Sequence, residues 1–583
     1  MNRFLPVIIP AFLLVFFASS CKKGQDATES FNINVRMPIE PEGLHPMFSK
    51  SSFASQIASL ILLPIAEYDP VTLQLSPLLI TSIPTAENVT EGKHRGGNVY
   101  KMQFRPEAKW DDGMPVTAND YLFTLKAVFN PYVNSSSWRG FLDFISEVSI
   151  DPNDPKKTSV YIDSSYILSL EVITNFNLFP AHIYDPENIM SQFTLDDLRD
   201  KSKTRTSEQD TLLKKFASSF ESPHFSREVV VGAGPYQLDK WASGEFIRIK
   251  RKENYWGEKI TDAPLLIRAY PAEITYRFIT DPATAESALK AGEIDVMGDV
   301  SPSTFVKMKS DPQWNTKFQF ATPAILQMNY LLLNTRDPIL ADKKIRQALA
   351  YCIDYDGILN NLYQGLANRT VGPIHPSKPY YNKELKPIQQ DIGHSIELIK
   401  EAGWKDTNGN GIPDKVINGK KEELMLRIEI TGQEEGRTVA NILKENAKKA
   451  GIEINIEVVD ASQFNQDRRQ NTFQIEPFRA RSVANLDDPY QTWHSQSDKP
   501  GANNFSGFRN AKADSVINEI RTDASAKERD EDYYALQEII YEEQPVIFLY
   551  VPLERIIVSN KFEFTPSSRK PGYFENLLKP SVQ

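Results

Sequence analysis

Residues 424–458 restrict the fold more than any other stretch of the chain. Positions 424–430 alternate apolar and polar, 435–450 carry apolar residues at helical spacing, Gly451 stops the helix, and 452–458 alternate again. Two strands joined through a helix form a β-α-β crossover, a parallel pair with a right-handed connection. Such a unit belongs to an α/β body with helices packed on a sheet. Other segments fit the same class. Asp281 can cap a helix that has Pro282 at its first position and ends at Gly292, before a strand at 294–297, and Asp342 opens a second helix over 343–353. In the first half, 99–104 and 154–161 read as strands, 119–129 as a helix capped by Thr117 or Asn119, and 196–215 as a solvated helix with its loops. The expected fold is α/β with mixed sheets, divided into lobes.

The chain begins Met1-Asn2-Arg3, continues with an almost wholly apolar run over 4–18, and reaches Ser19-Ser20-Cys21-Lys22-Lys23. The run is shorter than the about 20 residues a membrane-crossing helix needs, and suits a signal-peptide core. Small residues directly before a cysteine resemble a bacterial lipobox, which makes 1–20 a signal peptide, Cys21 a lipidation site and 21–30 a polar tether. Ala18 stands where a lipobox usually has Leu, so plain secretory cleavage near Ser20 is the alternative. The other cysteine, Cys352, lies in an apolar stretch and reads as core. With 583 residues and a net charge of −10, the chain is too long for a small module and too acidic for a nucleic-acid binder. Its seven histidines lack the spacing of a helical metal face, and no nucleophile elbow or phosphate-cradling Gly-Lys-Ser motif occurs. Neither enzymatic chemistry nor a cofactor has sequence support.

Five stretches carry stronger information: Trp110-Asp111-Asp112-Gly113-Met114-Pro115, Val231-Gly232-Ala233-Gly234-Pro235-Tyr236, Lys252-Glu253-Asn254-Tyr255-Trp256-Gly257, Ala291-Gly292-Glu293-Ile294-Asp295 and Ile345-Arg346-Gln347-Ala348-Leu349-Ala350. Physically they are turns, a close backbone approach and helix ends, hence scaffold rather than ligand contacts. In this order and spacing they resemble the extracellular solute-binding proteins of the oligopeptide, dipeptide and nickel group. The resemblance implies a bilobal, type II periplasmic-binding-protein-like fold closing on a ligand. By analogy lobe I comprises 31–66, 228–325 and 546–583, an inserted domain II spans 67–227, and lobe III spans 326–545. The implied function is that of a monomeric, lipid-anchored receptor facing the periplasm or cell exterior, which passes peptides or similar small polar solutes to an ABC permease. A non-peptide solute such as a metal chelate or oligosaccharide is the first alternative, and an envelope hydrolase or chaperone the second.

The same resemblance places ligand-facing stretches at Lys50-Ser51-Ser52-Phe53, at 433–437 with Gln433 and Arg437, and at 478–488. In peptide-binding relatives the third carries a Gly-Trp pair and an Asp for the peptide amine. Here Arg479 and Arg481 lie in the Gly-Trp region, Asn485 stands at the Asp position, and Asp488-Pro489 supplies the acidic-Pro pair that follows. An alternative leaves both arginines on an edge strand, pairing with Glu476, Asp487 or Asp488. Trp493, Asn504 and Phe505 are expected on the cleft wall. Asp406, Asn408, Asn410 and Asp414 resemble a calcium loop, but Ile417 occupies the position of the closing Glu, and an Asn/Gly hairpin with a second turn at Asn418-Gly419 is the alternative. If Cys21 carries the anchor, Cys21→Ser moves the protein from the membrane to the soluble fraction on fractionation; a variant retained in membranes contradicts the lipobox reading.

Overall fold

The computed structural model describes residues 30–581 except Lys50, Ser164, Ser165, Lys201, Asn485, Pro500, Asp523 and Ala524. The signal peptide, Cys21 and Asn485 therefore lie outside the described residues. The β-α-β unit forms as its pattern predicts. Met425–Ile430 and Glu453–Val458 pair in parallel, and helix Glu434–Lys449 buries Val439, Ala440, Leu443 and Ala447 between them. Acidic residues sit in its first turn and lysines in its last, complementing the helix dipole. Likewise Asp281 caps Pro282–Ala291, which ends at a left-handed Gly292, and Thr117 forms a capping box with Asp120 on Ala118–Phe129.

Two large sheets organise the chain. The first runs in the order Phe318–Ala321, Ile556–Ser559, Val296–Met297, Asn32–Met37, Glu273–Phe278, Phe246–Arg251, Tyr236–Ala242. The second runs Ala367–Arg369, Val546–Pro552, Gln327–Leu333, Ile475–Arg481, Met425–Ile430, Glu453–Val458. A separate four-stranded sheet, built from Ala86–Asn88, Asn98–Gln103, Lys157–Ile162 and Ile145–Ile150, lies in the inserted segment. The boundary expected at 546 is corrected here. Val546–Pro552 pairs with Gln327–Leu333 on one side and Ala367–Arg369 on the other, inside the second sheet. All seven of its residues are buried, and such a continuous apolar run fits a central strand of either sheet equally well.

The five motifs serve as scaffold, and the first three meet one another. A side chain on Gly232 would place its Cβ 2.1 Å from the Ile61 carbonyl oxygen, and one on Gly234 would lie 2.5 Å from that of Leu60. Only glycine permits this approach. Lys252, buried beside it, donates to the Gly232 carbonyl at 2.7 Å and pairs with Asp111, while Trp256 Nε1 donates to the Ala233 carbonyl at 2.8 Å. Arg346 is buried and donates to the carbonyls of Leu340, Ala341, Glu543 and Gln544. None of the five motifs lines either cavity described below.

The second sheet also buries two acids. Glu429 and Glu476 follow the paired Ile428 and Ile475 on parallel neighbours. Arg468 donates to Glu476 at 2.8 Å and Arg427 pairs with Glu429 at 2.7 Å, but Glu476 Oε1 and Glu429 Oε2 lack hydrogen-bond partners among the described residues. Burial, reinforced by the neighbouring Glu429, pushes Glu476 from the ordinary 4.5 up to about 8. The folded protein thus keeps a proton that the unfolded chain releases, and the stability this lends, complete below the unfolded value, is lost as pH rises to about 8. Glu476→Gln should match wild type in thermal melts at pH 4 and melt higher at pH 9, by about 2–4 °C for each kcal/mol recovered. A variant less stable at every pH would show that the ionised pair with Arg468 prevails.

Candidate functional site

The chain passes from the first sheet to the second through 322–326 and returns through 553–555. These linkers lie side by side, joined by an antiparallel bridge between Ala324 and Leu553 and by the Glu554 N–H donating to the Pro323 carbonyl at 2.8 Å. His375 Nε2 donates to the Ile325 carbonyl at 3.0 Å, and its Nδ1 accepts from Ser377. Burial lowers this imidazole to about 4, consistent with a neutral ring holding both roles. His375 is thus a linker prop. Cys352 is fully buried against Ser395 at 3.3 Å, and burial raises its thiol to about 11.

Of two cavities, the smaller borders the linkers through Leu326 and Glu554. The smaller, about 550 Å3, lies between the first sheet's lobe and the second's, and is lined by Ser52, Phe53 and Gln56 of helix Ser52–Ile61 together with Arg36, Glu554 and Glu575. Buried Arg36 spends its guanidinium on the carbonyls of Ile279, Gly298 and Asp299. Glu575 accepts from Gln56 Nε2 at 2.5 Å, and burial raises it to about 7. The larger cavity, about 910 Å3, opens between the second sheet and the inserted segment. Tyr330, Phe478, Trp493, Phe505 and Phe548 line it from the second lobe; Phe141, Phe144, Tyr166 and Leu168 line it from the insert. The two cavities share Arg481, Ser482 and Val483.

The charges along this cleft are largely matched. Asp487 accepts from Tyr380 at 2.9 Å and Ser482 at 3.3 Å, with Lys378 at 3.7 Å, and burial raises its carboxyl above the usual range. Asp488 accepts from the Tyr166 hydroxyl of the insert at 2.8 Å and lies 3.2 Å from Arg521 Nε. Arg479 pairs with Glu435 at 2.7 Å and donates to Gln433 at 3.3 Å, so its partner is none of the three acids expected from sequence. Arg481 is exposed into both cavities, and its side chain has no ion-pair or hydrogen-bond partner among the described residues.

The remaining sequence candidates divide. Ser52 and Phe53 line the smaller cavity, whereas Ser51 caps their helix, its Oγ accepting from the Ala54 N–H at 3.4 Å. Trp493 and Phe505 wall the larger one. Asn504 is buried and spends its amide on its own loop, donating to the carbonyls of His494 and Phe508 and accepting from Phe508 N–H. Gln433 and exposed Arg437 line neither cavity. In the 406–414 loop, Asp406 accepts from the N–H groups of Gly409 and Gly411, Asn408 from Asn410, and Asn410 from Ile412. Asp414 faces Thr407 and Lys421 Nζ at 3.2 Å. The loop leads into a hairpin, Asp414–Ile417 with Lys420–Glu423, whose turn residues Asn418 and Gly419 both have positive φ, as a two-residue I′ turn requires. Among the described residues no group of three His, Cys, Asp or Glu side chains is arranged to hold a metal ion. Sequence reasoning missed the aromatic wall from the insert, because no motif or spacing marks Phe141 and Tyr166 until the fold sets them opposite the second sheet.

Two sheet-bearing lobes joined by paired linkers around a divided cleft define a binding protein of the type II periplasmic-binding-protein architecture. Residues 74–504 match the bacterial extracellular solute-binding proteins, family 5 (middle region), and the chain belongs to that family. The oligopeptide-binding protein AppA of Bacillus subtilis strain 168 is 23% identical over 568 residues, 94% of this chain and 94% of AppA. The solved structure of Bacillus subtilis AppA with a nonapeptide has a TM-score of 0.72 at 20% identity, covering 95% of this chain and 100% of that one. NikA from Brucella suis, solved with Fe(III)-EDTA, also reaches 0.72 at 20% identity, over 94% and 100%. The chain is thus a solute-binding receptor rather than an enzyme. No helix among the described residues is long and apolar enough to cross a membrane.

Proposed function

We propose that the protein captures a peptide or similar small polar solute between its two lobes, as the monomeric, lipid-anchored receptor of an ABC importer, and presents it to the permease at the envelope surface. The Arg481 side chain, unpartnered among the described residues at the junction of the two cavities, is the observation that carries the ligand assignment. A guanidinium there offers a planar fork to a carboxylate, whereas Asp487 and Asp488 are already engaged and offer no free charge to an ammonium. The receptor therefore selects ligands by an accessible anionic group. Such a group is a peptide's C-terminus in the first reading. In a second, favoured by the same arginine, it belongs to an anionic chelate.

Calorimetry with free-acid, C-amidated and N-acetylated pentapeptides tests the assignment. Amidation of the ligand, or Arg481→Ala, should weaken binding by about ten- to hundredfold, or about 1.4–2.8 kcal/mol, and N-acetylation should change it little. Arg479→Ala should leave affinity within about threefold, since Glu435 already neutralises that charge. Strong loss on N-acetylation, with no effect of Arg481→Ala, would show that an acidic anchor reads the amine instead.

A further inference from the structure

Binding at Arg481 leaves most of the larger cavity unexplained. Its floor is aromatic: Tyr330 lies 5.3 Å from Phe478, and Phe478 lies 5.7 Å from Phe505. Its roof belongs to another body. Phe144 meets Tyr166 edge-on at 5.5 Å, Ile167 packs into the second lobe's core, and the Tyr166 hydroxyl fastens this segment to Asp488. Two large hydrophobic side chains, Phe141 at 56% exposure and Val483 at 48%, line this same cavity. Uncovered apolar surface costs about 25 cal/mol per Å2, so apolar groups presented to a cavity mark a place that a ligand covers.

The polar groups at the rim narrow the chemistry. Asp488 is matched by Arg521 and Tyr166, Asp487 by Lys378 and Tyr380, and Arg479 by Glu435, which leaves Arg481 at the outlet toward the smaller cavity. A chamber of about 910 Å3 lies within the roughly 300–1,000 Å3 of small-molecule sites. Resting on the receptor reading above, we infer that the inserted segment closes an aromatic subsite that takes the apolar end of an amphipathic ligand, whose anionic group lies at Arg481. The insert thereby acts in specificity: Phe141 supplies contact, and Tyr166 seats the roof without being the anion's partner.

Purified protein is mixed with an equimolar pool of free-acid tripeptides of all side-chain classes, and the captured peptides are quantified by mass spectrometry after rapid ultrafiltration. Wild type should enrich peptides bearing Phe, Trp or Leu at least about tenfold over those bearing Ser, Asn or Gly. Phe141→Ser, at a largely exposed position, and Tyr166→Phe, which removes one hydroxyl, should retain wild-type melting and capture peptides but reduce the enrichment below about threefold. Capture without apolar enrichment, or enrichment unchanged in both variants, overturns the subsite and leaves the receptor reading standing. Capture of no peptide by wild type overturns the subsite and the peptide reading together, leaving only the anionic-chelate reading.

Discussion

The paired linkers at 322–326 and 553–555 are the constraint on which the rest of the structure depends. Val546–Pro552 is a central strand of the second sheet, and Ile556–Ser559 is a strand of the first, so three residues carry the chain between two rigid cores. The Ala324–Leu553 bridge makes the two crossings one ribbon, and His375 fixes its flank through Ile325. Bending such a ribbon requires backbone change at few residues, whereas distorting either sheet would break ladders and close packing. The cleft lies against this ribbon: Leu326 lines the smaller cavity, and the Ser482 N–H, at the junction of both cavities, donates to the Leu326 carbonyl at 3.0 Å. A change at the ribbon is therefore felt where ligand and lobes meet.

Charge pairing sets what the cleft can recognise. Carboxylates and cations held in mutual contact present little net field, and separating them costs desolvation that a ligand would have to repay. Asp487 and Asp488 serve the walls, through Tyr380 and Lys378 in one case and Tyr166 and Arg521 in the other. Selectivity then rests on the charge left over and on the aromatic surface around it, contributed by stretches far apart in the chain.

The sequence revealed most where structure is local. The β-α-β unit, the Asp281-Pro282 start with its Gly292 stop, and the Asn418-Gly419 turn are each decided by residues within a few turns of one another, and each forms as read. The family was legible for a related reason. Its motifs hold the scaffold together, as Lys252 shows by joining Asp111 to Gly232, so they carry the fold's signature and not the ligand's. The site was less legible because its partners are remote in the chain. Glu435 lies 44 residues before Arg479, and Tyr166 lies 322 before Asp488. No spacing rule links them. Asn504 shows the converse, since a polar residue in a cleft-side loop proved to be the loop's own internal clamp.

Ligand binding should draw the two lobes together about the linker ribbon. Solution X-ray scattering on the purified protein, first stripped of bound solute and then saturated with the peptides it captures, measures this directly. A smaller radius of gyration is expected in the saturated protein, with the scattering of each lobe otherwise unchanged. Identical profiles for the stripped and saturated protein, with binding confirmed in the same sample, would contradict it.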